Sequence, residues 1–337
     1  MFPNLGLISK TTLSHVLLVF SLRSSRVPRR HFISSVLLML FVLYASFGSL
    51  MHYNSKTITQ SLTLISMSIV YFVIGFTKAD DESFEILFNW STLTAAISLV
   101  FYFFVPEFTI RNVTAWFNNS DLYSLGGIAA SWQEALLPRL NLFTPEPSFF
   151  GFIWSSILVF GIARESKTWK FVIIFCAIFL TFSRTALVMI FLWFILRYRK
   201  ASLLILGLSL PYTVPLIGDS ITSDLSIVQR FGSLGSAYDA WNGNYILGIG
   251  WGSFFDYASE RFLDYKDIFN LHLRVLVETG VLGFFLYMVF WFSHFDLSDF
   301  FGDKNLGTIV LFVGMSSFSA YNLWILWYLL VLNRSTK

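Results

Sequence analysis

Apolar residues in this chain cluster into long runs instead of alternating, and the runs have the length of membrane crossings. About 20 residues are needed to cross about 30 Å of hydrocarbon as a helix. The runs 5–22, 31–52, 57–77, 86–105, 148–163, 168–182, 185–196, 201–217 and 272–293 are read as spans, with Lys10 weakening the first. A last stretch, 306–332, is either one tilted helix or two short halves broken near Ser316-Ser317-Phe318-Ser319. The pattern predicts an all-α, polytopic integral membrane helix bundle of about 10–11 segments, forming a single membrane domain over 1–337. Spans 148–163, 168–182 and 185–196 are short. Short helices around a polar break are how membrane proteins build a midplane or interfacial site.

Polar positions orient the bundle. Basic residues cluster at Arg23, Arg26, Arg29 and Arg30, at Arg164, Lys167 and Lys170, and at Arg197, Arg199 and Lys200. Placing all three clusters on the cytoplasmic side satisfies the positive-inside rule. Loops 78–85 and 294–305 then face inside as well. The opposite face receives Ser183-Arg184-Thr185 and two large loops, 106–147 and 218–271. Those loops are too long for plain connectors. They suit an enzyme working at one membrane face, or a transporter with long loops.

Composition agrees with the pattern. The 337 residues are 55% hydrophobic and 13% charged, against about 25% charged for soluble domains. The 19% aromatic share suits lipid-facing helices with interfacial belts. One cysteine, Cys176, excludes an intramolecular disulfide and argues against a Cys-ligated zinc. Met1–Leu22 lacks a basic leader and a small-residue cleavage site, so a cleaved signal peptide is not expected. The five histidines are scattered, and neither D-x-D nor His-x-x-x-His occurs, so no metal and no cofactor are expected. No nucleic-acid partner is expected either.

Candidate chemistry lies on the face opposite the basic clusters. Arg184 is wedged between two apolar runs. A charge at bilayer depth costs about 2.5–3.5 kcal/mol, which makes it a functional candidate unless it snorkels to water. Glu146 sits between Pro145 and Pro147, stiffly presented or simply near a helix N-terminus. The string Gly248-Ile249-Gly250-Trp251-Gly252 leaves backbone amides able to wrap a phosphate or sugar. Trp241 and Trp251 are candidates for stacking on sugar faces. Arg274 and Glu278, four apart, share a helix face as a base–acid set or a self-shielding ion pair. His272 enters at the same face. Arg139, Arg184, Arg230 and Arg274 together form a guanidinium set suited to an anionic, lipid-linked substrate.

Glu146-Pro147-Ser148, Ser183-Arg184-Thr185, Arg230 followed by Gly248-Ile249-Gly250, and Asn270 followed by Glu278-Thr279-Gly280-Val281-Leu282-Gly283 occur in a familiar order. The order resembles that of the O-antigen polymerase and ligase superfamily over residues 138–293; residues 1–137 match in hydropathy alone. The resemblance implies a bacterial inner-membrane glycosyltransferase with its active site facing the periplasm. Its substrates would be undecaprenyl-diphosphate-linked oligosaccharides, used without metal or nucleotide sugar, with membrane lipids and a chain-length regulator as partners. Ligases of the superfamily carry His-Asn before the closing Gly-x-x-Gly, where this chain has Phe269-Asn270, which favours a polymerase. In that reading Arg184 and Arg230, then Arg274 and Arg139, hold diphosphate and glycan, assisted by Trp241 and Trp251. Glu146 and His272 are candidate bases, and Glu278 is either a third or an orienter of Arg274. A ligase transferring glycan to lipid A-core and a flippase are the alternatives. A periplasm-active reporter fused after Asn141 is expected to be active, and activity of a cytoplasmic reporter there would overturn the topology.

Overall fold

The computed structural model describes residues 29–50, 55–74, 81–104, 140, 147–162, 168–181, 183–198, 225–261, 263, 268, 270–296, 302–316, 327 and 329–331. Its elements are all helical: α1 (Arg29–Leu50), α2 (Ser55–Ile74), α3 (Asp81–Phe104), α4 (Pro147–Ile162), α5 (Thr168–Leu180), α6 (Arg184–Arg197), α7 (Leu225–Asn242), α8 (Phe254–Glu260), α9 (Leu271–Phe292) and α10 (Asp303–Met315). The expected spans 5–22 and 201–217 lie outside the described residues. So do loop 106–147, apart from Leu140 and Pro147, and Arg23, Arg26, Arg164, Lys167, Arg199 and Lys200.

Among the described residues, four helices are long and apolar enough, by length and composition, to cross a membrane: His31–Leu50, Thr57–Ile74, Phe84–Phe104 and Leu271–Phe292. Helices α4, α5, α6 and α10 have 16, 13, 14 and 13 residues, which makes rods of about 20–24 Å. Two expectations need correction, and a third, left open between two forms, is narrowed. Residues 81–85, read as loop, begin α3, where the exposed Glu82 complements the positive end of the helix dipole. The large loop 218–271 contains two helices, α7 and α8. The stretch 306–332 ends its first helix at Met315, at the serine-rich break, and is helical again at Trp327 and Leu329–Val331.

Helix α1 packs on α2 and α9, while α4 packs on α3, α5, α6 and α10. One apolar core runs through both groups. Close approach depends on glycine: a Cβ on Gly314 would lie 2.6 Å from the Met189 sulfur, and one on Gly307 2.9 Å from Phe160. Several buried hydroxyls return their hydrogen bonds to their own helices, as Thr92 does to Phe88 and Ser156 to Phe152, which spares them a partner across the apolar interior.

Helix α9 is not a straight span. Gly280 has φ +65° and ψ −172°, which breaks the helix into two halves. The His272 imidazole is hydrogen-bonded to the Tyr287 hydroxyl at 2.9 Å. Fifteen residues of straight helix would hold these two about 22 Å apart. Phe312 likewise stacks on His272 at 4.1 Å and meets Trp291 edge-on at 5.1 Å. The first half therefore folds back beside the second.

The break leaves backbone groups that lipid cannot satisfy. The segment after α7 satisfies them. The amides of Ile249 and Gly250 donate to the carbonyls of Val277 and Glu278, at 3.2 and 2.9 Å. In return, the amides of Val281 and Leu282 donate to Tyr245 and Ile246, at 2.9 and 3.5 Å. At Gly280 a Cβ would lie 2.2 Å from the Ile246 oxygen. Gly280→Ala is therefore expected to lower stability by about 1–3 kcal/mol from backbone strain alone, with overlap adding to it. Thermal unfolding in detergent measures this, and an unchanged midpoint would contradict the fold-back.

Candidate functional site

The fold-back gathers polar side chains at one end of the bundle. Helix α1 ends there, with Ser49 donating to the Trp251 carbonyl at 2.8 Å. Helix α2 begins there and contributes Gln60. The turn between α5 and α6 lies at the same end of its own helix group, against the start of α4, since a Cβ on Gly151 would meet Ser183 at 2.7 Å. The far end holds a separate network in which the Tyr71 hydroxyl meets His294 Nε2 at 2.7 Å and Ser34 at 3.1 Å.

At the centre is Glu278, which is 0% exposed. Its carboxylate accepts from the amides of Gly252 at 3.0 Å and Phe254 at 3.3 Å, and from Arg274 Nε at 3.1 Å. A second Arg274 nitrogen donates to Gln60 Oε1, and the guanidinium lies 5.5 Å from the Trp251 ring centre. Removing a carboxylate from water costs several kcal/mol unless such donors replace its hydration. The helical spacing of Arg274 and Glu278 sets their pairing, and left-handed glycines bring the amides within reach. Gly252 has φ +83°, and a Cβ there would lie 2.8 Å from Gln60.

Two expectations change here. The glycine string does not present an open cradle. The amides of Gly248, Ile249, Gly250, Gly252, Ser253 and Phe254 are all used within the protein. Trp251 does not offer a face for sugar stacking: it is 1% exposed, packed edge-on to Phe41 and beneath Arg274.

His272 is turned inward. Its Nε2 faces the Phe312 carbonyl at 2.8 Å, so that nitrogen donates, and Nδ1 accepts from Tyr287. The Phe312 carbonyl belongs to the last turn of α10, where no helical amide remains to satisfy it. Asn270 is the N-cap of α9 and accepts from Leu273 N at 3.0 Å. Trp241 joins Ala237, Ala240, Phe254 and Val277 in a small apolar cluster that holds α7 and α8 against the first half of α9.

Arg184 is exposed at the first position of α6, beside the Ser183 N-cap, with no acidic residue in that turn. A cation at a helix N-terminus opposes the dipole, and an anion bound there would relieve the repulsion. Leu140 N–H bonds the Leu180 carbonyl at 2.9 Å, tying the end of the first loop to this turn. Arg139 and Glu146 lie outside the described residues. Arg230 is placed by its backbone alone, in α7, and its side chain lies outside what is described. The structure thus brings Arg274, Glu278 and Trp251 together and sets His272 below them. Gln60 is the member that sequence reasoning missed; its signal was an amide side chain inside an apolar run.

Comparison with family models, with curated proteins and with solved structures gives no match.

Glu278→Ala is expected to lose about 3–5 kcal/mol, because Arg274 and two buried amides lose their acceptor. Arg274→Ala should cost less, since water can enter the space its 12%-exposed side chain vacates while the Gly252 and Phe254 amides still hold the Glu278 carboxylate. Thermal unfolding of the two variants in detergent tests the order, and equal midpoints would contradict it.

Proposed function

We propose that this protein is a membrane glycosyltransferase that joins lipid-diphosphate-linked oligosaccharides, in the manner of an O-antigen polymerase. On this reading it lies in a bacterial inner membrane with the Arg184 end facing the periplasm. The observation that carries the reading is Arg184, exposed at the start of a short helix with no acid in its first turn. The ordered motifs over residues 138–293 add to it.

The chemistry asks for cations at the leaving group. The bond from the anomeric carbon to the diphosphate oxygen breaks, and a bond to the acceptor hydroxyl oxygen forms. The hydroxyl proton goes to a base, and negative charge builds on the departing lipid diphosphate. Guanidinium groups fixed in advance stabilise that charge in the transition state. Arg184 fills this role, with Arg230 and Arg139 beside it in the proposal. Arg274 is held in the clasp with Glu278 and positions the loop. Glu278 and both His272 nitrogens are committed to internal bonds, which leaves Glu146 as the proposed proton acceptor.

A second reading has its own support. Discontinuous helices such as α9 are a common device of transporters, which suits a flippase for the same lipid-linked units. The two readings part in a deletion strain: single-repeat glycan on the cell surface marks a polymerase, and units stranded on the cytoplasmic leaflet mark a flippase. Arg184→Ala, at matched membrane levels, is expected to cut polymer formation about 100-fold or more. Arg184→Lys should keep part of it, as a point charge without the bidentate fork. Normal long-chain glycan from Arg184→Ala would sink the proposal.

A further inference from the structure

The outer face of the fold-back carries an apolar strip that runs off the helix onto the loop. Val281, Leu282, Phe285 and Phe292 are exposed on the second half of α9, Phe285 at 63%. Tyr245, Ile246 and Leu247 are exposed at the turn after α7, Leu247 at 64%. The backbone bonds from Val281 to Tyr245 and from Leu282 to Ile246 join the two surfaces edge to edge. No charged residue interrupts either part: 245–247 and 281–292 contain none. Just before it in the same turn, Asn242, Gly243 and Asn244 are exposed as well.

Three consecutive exposed apolar residues in a loop need a cover. Continuity names it. The second half of α9 carries no charge in a chain whose other long helices are apolar enough to cross a membrane, and on that membrane reading the medium around Phe285 and Phe292 is acyl chain. That medium extends without a polar break to Ile246 and Leu247. We propose that the turn Tyr245–Leu247 dips into the lipid leaflet at this end of the bundle and anchors the segment 225–261 to the membrane surface. Tyr245 sits at headgroup level, where an aromatic ring with a hydroxyl is most stable, and Asn242 and Asn244 face water. The second large loop is then a cap seated on lipid, and it holds the Arg274–Glu278 clasp at the headgroup boundary. The inference rests on the membrane reading of α9 and not on the transferase proposal.

The test uses the full chain in phosphatidylethanolamine–phosphatidylglycerol vesicles, with Cys176→Ser as background. Leu247→Cys, Asn242→Cys and Phe292→Cys each carry an environment-sensitive fluorophore. Nitroxide lipids should quench the labels at 247 and 292, the first at a depth of about 5–10 Å below the headgroup boundary. Aqueous iodide should quench only the label at 242. If iodide quenches 247 as it does 242 while lipid nitroxide reaches 292, the proposal fails and the membrane reading stands. A label at 247 shielded from both quenchers would mean that a second chain or another protein covers it, which also overturns the proposal. If lipid reaches neither 247 nor 292, both ideas fall.

Discussion

The structure depends on how the reversal at Gly280 is satisfied. A helix broken within an apolar bundle exposes amides and carbonyls, each costing several kcal/mol without partners. Here two carbonyls before the break and two amides after it pair with the single segment 245–250. Glu278 then extends the same segment's anchorage through Gly252 and Phe254. The glycines of the string are needed for this. Gly248, at φ +73°, lies so close to Glu278 and Gly280 that a Cβ would sit 2.5 Å from their backbone atoms. Helix break, glycine string and buried ion pair are thus one device.

That device determines what the polar end of the bundle can do. Its most strongly buried charge is spent on holding shape, with Arg274 turned toward Gln60 and Trp251. Under the proposed function, chemistry on an anionic substrate falls instead to Arg184, which is exposed at the first position of α6, beside the Ser183 N-cap. Thr181 supports the turn before α6 by accepting from Ser183 N at 3.2 Å and donating to the Ile178 carbonyl at 2.6 Å. Separating the two tasks is physically sensible. A rigid clasp fixes the loop, and on the proposed function the exposed guanidinium is left to meet the ligand.

Hydropathy made most helices legible, because burial in lipid requires long apolar runs whatever the fold. Starts and ends of α1, α2 and α4–α6 follow the runs closely. The i, i+4 relation of Arg274 and Glu278 was also readable, since helix geometry alone sets it. The fold-back was not. Residues 272–293 are uniformly apolar beyond the break, and hydropathy carries no information on chain direction. Gly280 was visible only as one glycine among several. Trp251 and the glycine string looked like ligand-facing features because their residue types serve both purposes: tryptophan fills cores as well as interfaces, and a left-handed glycine cradles backbone as readily as phosphate. The partner that decided between them, the broken edge of α9, exists only in three dimensions.

The fold-back is the claim on which the rest stands, and an intramolecular distance tests it directly. His272→Cys and Tyr287→Cys, in a Cys176→Ser background, should be joined by a short bifunctional thiol reagent in the membrane-embedded protein. Efficient cross-linking within one chain is expected. An unjoined pair, with spin labels at the same sites reporting the roughly 22 Å of a straight helix, would contradict the fold-back.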